Sequence, residues 1–108
     1  MHIDELNNFT KLFDTYGKLL SNKQFEVMDK FLNFNLGESE LAELYGESRQ
    51  AVHDAISKAK KQLIEFEQKC GFVKLKDICK TKLNEAKAFL ESTQNDASSV
   101  IDDVLNNL

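Results

Sequence analysis

Ser39 to Ala59, SELAELYGESRQAVHDAISKA, reads as two helices joined by a tight turn. The first is short and amphipathic and is expected to point Leu41, Ala42, Leu44 and Tyr45 inward. Gly46 follows where the chain must turn sharply with a positive φ, a conformation that glycine enters without steric cost. Ser48 is then placed to cap a second helix by accepting a bond from a free backbone N–H. In that second helix Val52, Ile56, Ala59, Leu63, Phe66 and Cys70 recur at alternating spacings of four and three and so share one face. Arg49, Gln50, His53, Ser57 and Lys60 are left for the opposite face. A small Ala42 at the crossing, a turn glycine, a capping serine and two apolar anchors at this spacing form the pattern of a helix-turn-helix, whose second helix enters the major groove of DNA. A helical hairpin that binds nothing is the plainer alternative.

Ser48-Arg49-Gln50-Ala51-Val52-His53-Asp54, then Ile56, the lysine cluster, Leu63 and Glu65-Phe66-Glu67, resembles the YlxM-like family of small bacterial helix-turn-helix proteins. The resemblance runs from about Leu12 to Phe72. His53 stands where that family's pattern has an aromatic, usually Tyr. The family's motif is itself similar to region four of sigma factors. What the resemblance implies is an all-α fold, a DNA-binding regulatory role, and a gene neighbourhood shared with the signal recognition particle, whose components become possible partners.

The rest of the chain sets bounds. At 108 residues, with 42% hydrophobic and 30% charged, it suffices for one modest core and is too short for two. No proline, four glycines and little β-branched alternation predict helix almost throughout. No apolar run approaches the roughly 20 residues that span a bilayer, and the start lacks the pattern of a secretory signal, so a cytoplasmic protein is expected. Cys70 and Cys79 fall at apolar periodic positions and read as buried thiols in preference to a disulfide or metal site.

Charge is unevenly spread. Residues 1–47 carry nine acids and four bases, residues 48–82 four acids and nine bases, and residues 83–108 five acids and one base. The basic third begins at the second helix of the motif. A solvated face would produce such a run; so would a phosphate-contacting surface with acidic flanks that weaken non-specific binding.

Outside the motif, Asp4 to about Leu20 is expected to form a first helix with Leu6, Phe9, Leu12, Phe13, Tyr16 and Leu20 on one stripe and Gly17 a weak point. Ser21-Asn22-Lys23-Gln24 has the form of a capping box and opens a helix through Phe25, Met28, Phe31 and Leu32. Five of the eight phenylalanines precede residue 35 and, at helical spacing, read as core. Glu38, Glu40, Glu43 and Glu47 are expected to line a solvated outer face. Lys69-Cys70-Gly71-Phe72 reads as a helix end, which makes the motif's second helix about 22 residues long from Ser48. The helix-turn-helix domain is thus placed at residues 1–72. Residues 73–108 carry two further stripes, through Leu75, Ile78, Leu83, Phe89 and Leu90 and through Val100, Ile101, Val104, Leu105 and Leu108, broken by the polar run Ser92 to Asp96. They are expected to belong to the same compact unit and to serve either packing or a homodimer.

Two functions remain in play. In the first, the protein binds double-stranded DNA: Arg49, Gln50 and His53 approach base edges, and Ser48, Ser57, Lys58, Lys60 and Lys61 approach phosphates. In the second, the motif is a scaffold for binding protein partners. An enzyme is not expected, since no nucleophile has its base, no glycine-rich loop cradles phosphate, and no metal-ligand spacing or cofactor motif occurs.

Overall fold

The computed structural model describes residues 3–92 and 97–108, and its described residues form an all-α fold of six α-helices and one 3₁₀ turn. These are α1 (Ile3–Tyr16), the turn Gly17–Leu19, α2 (Asn22–Asn33), α3 (Glu38–Tyr45), α4 (Arg49–Cys70), α5 (Phe72–Ser92) and α6 (Ala97–Asn107). The chain divides into two compact units, residues 1–71 and Phe72–Leu108. Beyond Ser92, the polar run expected to interrupt the last two helices lies outside the described residues.

In the first unit α4 packs against α1, α2 and α3, and its apolar stripe closes the core. Val52, Ile56, Ala59 and Leu63 are at most 3% exposed, and Phe13, Tyr16, Val27, Met28, Leu32 and Leu41 of the packed helices are buried as well. Burying each large side chain of this set is worth about 1.5 to 3 kcal/mol. Phe13 and Phe25 stack with ring centroids 4.9 Å apart, and Tyr16 meets Phe66 at 5.9 Å. Of the five early phenylalanines Phe13 is buried and Phe9, Phe25 and Phe31 are half-buried, but Phe34, expected as core, is 66% exposed because it caps the end of α2. Helix α1 stops at Tyr16 and the chain tightens through Gly17, where an added Cβ would press to 3.0 Å from the Phe13 ring.

Local signals set each joint. Ser21 and Gln24 form a complete capping box at the start of α2. Asn35 turns the following loop with φ +54°, a left-handed conformation that asparagine tolerates better than most residues. Gly37, with no side-chain cap, precedes α3. At the other end of α3, Gly46 adopts φ +62°; its N–H bonds back to Glu43 O at 3.3 Å and that of Glu47 to Ala42 O at 2.9 Å. This paired closure satisfies two carbonyls that a helix end leaves open. Ser48 Oγ accepts from Ala51 N–H at 3.1 Å and starts α4. Gly71, φ +66°, ends it with an N–H bond to Glu67 O at 2.8 Å.

Two further apolar expectations are corrected. Leu44 is 56% exposed, because at about 100° per residue it lies roughly 110° from the midpoint of Leu41 and Ala42, outside the narrow face that an eight-residue helix buries. Cys70 is exposed and Cys79 only half-buried: Leu63 is the last buried residue of α4, and Cys70 is its final residue, beyond the reach of the core.

The second unit is a pair of packed helices, α5 and α6, fastened by a 2.6 Å ion pair from Lys87 Nζ to Asp102 Oδ1. That carboxylate, by hydrogen bond and charge together, raises the Lys87 ammonium above its ordinary value. Helix α5 buries none of its residues; Phe72, Leu75, Ile78 and Phe89 are all exposed, as are Val100 and Val104 of α6.

Candidate nucleic-acid interface

A helix turns by about 100° per residue, and that rotation sorts the predicted residues of α4 into two sets. Gln50, Ser57, Lys58 and Lys61 fall roughly 100 to 160° from Ile56 and stand on the outward surface; all four are exposed. Arg49, His53 and Lys60, expected on the face opposite the apolar stripe, instead fall only about 20 to 60° from Ile56, at the edge of that stripe, where side chains of neighbouring helices reach them.

At that edge lies Glu38, the first residue of α3. Its Oε1 is 2.8 Å from His53 Nδ1 and its Oε2 is 3.8 Å from Arg49 Nε. The carboxylate is 26% exposed, against 53% for the His53 side chain and 74% for Arg49. Glu38, Arg49, Gln50 and His53 together line a shallow depression of about 380 Å³. Glu38 was expected on a solvated acidic face; its α3 register instead turns it toward α4. Gln50 Nε2 donates to Asp54 Oδ1 at 2.8 Å, one turn on, so Asp54 also joins the cluster. Spacing along one helix makes Gln50–Asp54 legible from sequence, whereas Glu38 is reached only through the crossing of α3 on α4.

Lys60 differs from the other lysines. Its ammonium sits 5.1 Å from the Phe9 ring centroid and 5.2 Å from that of Phe31, so it lies over two aromatic faces on the α1 and α2 side instead of the outward face. Lys61 is exposed beside it, and with Ser57 both border a second groove of about 490 Å³ floored by Phe9 and Ile64. Ser48 serves as N-cap, and its Oγ is committed to Ala51 N–H while the residue stays exposed.

An ion pair between Lys23 of α2 and Glu47 lies at the turn. Beyond it the start of α4 groups a guanidinium, an amide and an imidazole on an exposed helix end. Such donors and acceptors match base edges in a major groove, and the free N–H groups of a helix start favour phosphate.

Comparison with known proteins places the chain among helix-turn-helix proteins. Residues 3–104 match the family described as "Putative helix-turn-helix protein, YlxM / p13 like". The chain belongs to this family. Among relatives of the same UPF0122 group, a protein of Clostridium novyi (strain NT) is 32% identical over 104 residues, covering 90% of this chain and 89% of its own. One from Clostridium perfringens (strain SM101 / Type A) is 37% identical over 97 residues, covering 87% of each chain. One from Thermoanaerobacter sp. (strain X514) is 35% identical over 88 residues, covering 82% of this chain and 75% of the relative. No solved structure matches the chain at a significant level. Among the described residues, no group of three or more His, Cys, Asp or Glu side chains is placed to hold a metal ion, and no helix is long and apolar enough to cross a membrane.

Proposed function

We propose that this protein is a DNA-binding regulator that presents the N-terminal half of α4 to the major groove of duplex DNA in the cytoplasm. Arg49, Gln50 and His53 read base edges, and Ser48, Ser57, Lys58 and Lys61 contact phosphates. Lys60 enters the same surface only at its edge, with its charge drawn over Phe9 and Phe31. The observation that carries the reading is the depression in which Arg49, Gln50 and His53 converge at the exposed start of a capped helix. The net charge of −4 fits a binder that selects its sites, because acidic flanks weaken attachment to arbitrary DNA. The motif's resemblance to sigma factor region four supports the same docking mode. Selection from a random duplex library tests it: one enriched motif is expected, and an unenriched pool contradicts it.

The second unit supports a homodimer. With α5 burying none of its residues, the exposed apolar positions Leu75, Ile78 and Phe89 offer a surface for a second copy, and a two-fold dimer suits a palindromic site. Sedimentation is expected to give a dimer at tens of micromolar; a monomer there removes this part. A role beside the signal recognition particle rests on family resemblance, and the same apolar surface would then meet a protein partner. Co-sedimentation with the purified particle checks that link.

A further inference from the structure

We infer that Glu38 is a positioning residue for base reading, which fixes the proton of His53 on Nδ1 and so makes Nε2 a hydrogen-bond acceptor aimed at an exocyclic amino group, adenine N6 or cytosine N4. The inference rests on the DNA-binding reading above and says which base chemistry that site selects.

An ionised carboxylate can only accept hydrogen bonds, so the 2.8 Å contact between Glu38 Oε1 and His53 Nδ1 requires the proton to sit on Nδ1. In the neutral ring the other nitrogen, Nε2, is then bare. A carboxylate set behind an imidazole fixes its tautomer and ring orientation in the same way at metal centres and catalytic sites. The contact joins two helices. Glu38 is the first residue of α3, lies 15 residues before His53, and its side chain is 26% exposed against 53% for the ring it meets.

The consequence is a split in chemistry across one depression. Arg49 offers only donors, which suit guanine O6 and N7, while His53 offers an acceptor, which suits an amino-bearing base. Glu38 meets His53 Nδ1 at 2.8 Å and lies 3.8 Å from Arg49 Nε, so its hold is on the imidazole. Without the carboxylate, the ring is free to carry its proton on Nε2 and to donate to guanine or to thymine O4 instead, and the distinction between amino-bearing and carbonyl-bearing bases at that position is lost.

The test compares wild type with Glu38→Gln, which keeps the side chain's size but can donate to Nδ1 as well as accept from it. Long-range ¹⁵N–¹H spectra of the free proteins in basic buffer, with His53→Asn used to assign the His53 ring, are expected to show a protonated Nδ1 in wild type and a loss of that tautomer in the variant. In parallel, selected duplexes are expected to carry adenine or cytosine at the position that becomes indifferent in His53→Asn. Glu38→Gln should reduce that preference by about tenfold while leaving the guanine preference assigned to Arg49 measurable. A wild-type ring protonated on Nε2, or a Glu38→Gln protein that selects bases as wild type does, overturns the inference while leaving DNA binding intact. A wild-type chain that enriches no sequence overturns both.

Discussion

The hydroxyl of Tyr16, at the end of α1, donates a 2.6 Å hydrogen bond to Glu67 Oε1 of α4 across 51 residues of sequence. Tyr16 is 2% exposed and its ring also meets Phe66, so one residue anchors the far half of α4 by both packing and charge. Hydrogen bonds to a charged acceptor are worth more than neutral ones. Tyr16→Phe, which keeps the ring and removes only the donor, is expected to cost roughly 1.5 to 3 kcal/mol, read from denaturant unfolding. An unchanged midpoint and slope would show that the bond adds nothing to the packing.

At the turn of the motif, Gly46 has open space around it, with nothing within 4 Å of an added Cβ, so the cost of Gly46→Ala is conformational and not steric. With φ at +62°, about 1 to 2 kcal/mol of destabilisation is expected. Ser48→Ala, two residues on, should cost about 0.5 to 2 kcal/mol by exposing the N–H of Ala51. Thermal unfolding of the two single variants and the double variant measures how strongly the two signals depend on one another.

These two positions are also where the sequence was most readable. Glycine for a left-handed residue, serine for a helix start and Ser21 with Gln24 for a capping box are local rules, each satisfied by neighbours in the chain, and each appears where expected. The stripe Val52, Ile56, Ala59, Leu63 was legible for the same reason, since periodicity alone places it. What periodicity does not contain is where another helix crosses. Spacing within α4 already puts His53 and Lys60 at the edge of the stripe, but that Glu38 meets the one and Phe9 and Phe31 the other depends on how α1, α2 and α3 cross α4. Cys70 continues the apolar pattern of α4 past Leu63, its last buried residue, whereas Leu44 lies off the narrow face that α3 buries.

The two adjacent lysines should separate cleanly. Lys60 lies over two rings and Lys61 is exposed, so Lys60→Ala is expected to destabilise the fold by about 0.5 to 2 kcal/mol and Lys61→Ala by less than about 0.5 kcal/mol. Chemical denaturation of both variants is the measurement. Equal losses would mean that the aromatic contact of Lys60 is energetically silent.

Arg49 is the chain's only arginine. Its side chain is 74% exposed and its contact with Glu38 is long at 3.8 Å, so the fold should hardly notice its replacement. Its planar fork can hold a guanine edge in two parallel bonds, which lysine cannot reproduce. Arg49→Lys is therefore expected to leave the unfolding midpoint unchanged and to cost roughly 1 to 3 kcal/mol of binding to a selected duplex, with relaxed preference at one base pair. A destabilised protein with unaltered DNA affinity would make Arg49 a structural partner of Glu38 and favour the protein-interaction role.

The most direct test of the central claim is the affinity of the wild-type chain for duplex DNA measured across a salt series. Counterion release requires log affinity to fall linearly with log salt, by a slope of roughly 0.9 for each phosphate neutralised, and removing one contacting lysine should lower the slope by about one. A steep decline is expected for wild type and a slope reduced by about one for Lys61→Ala. A flat line, or a steep one that Lys58→Ala and Lys61→Ala leave untouched, would contradict the assignment of the α4 surface to DNA.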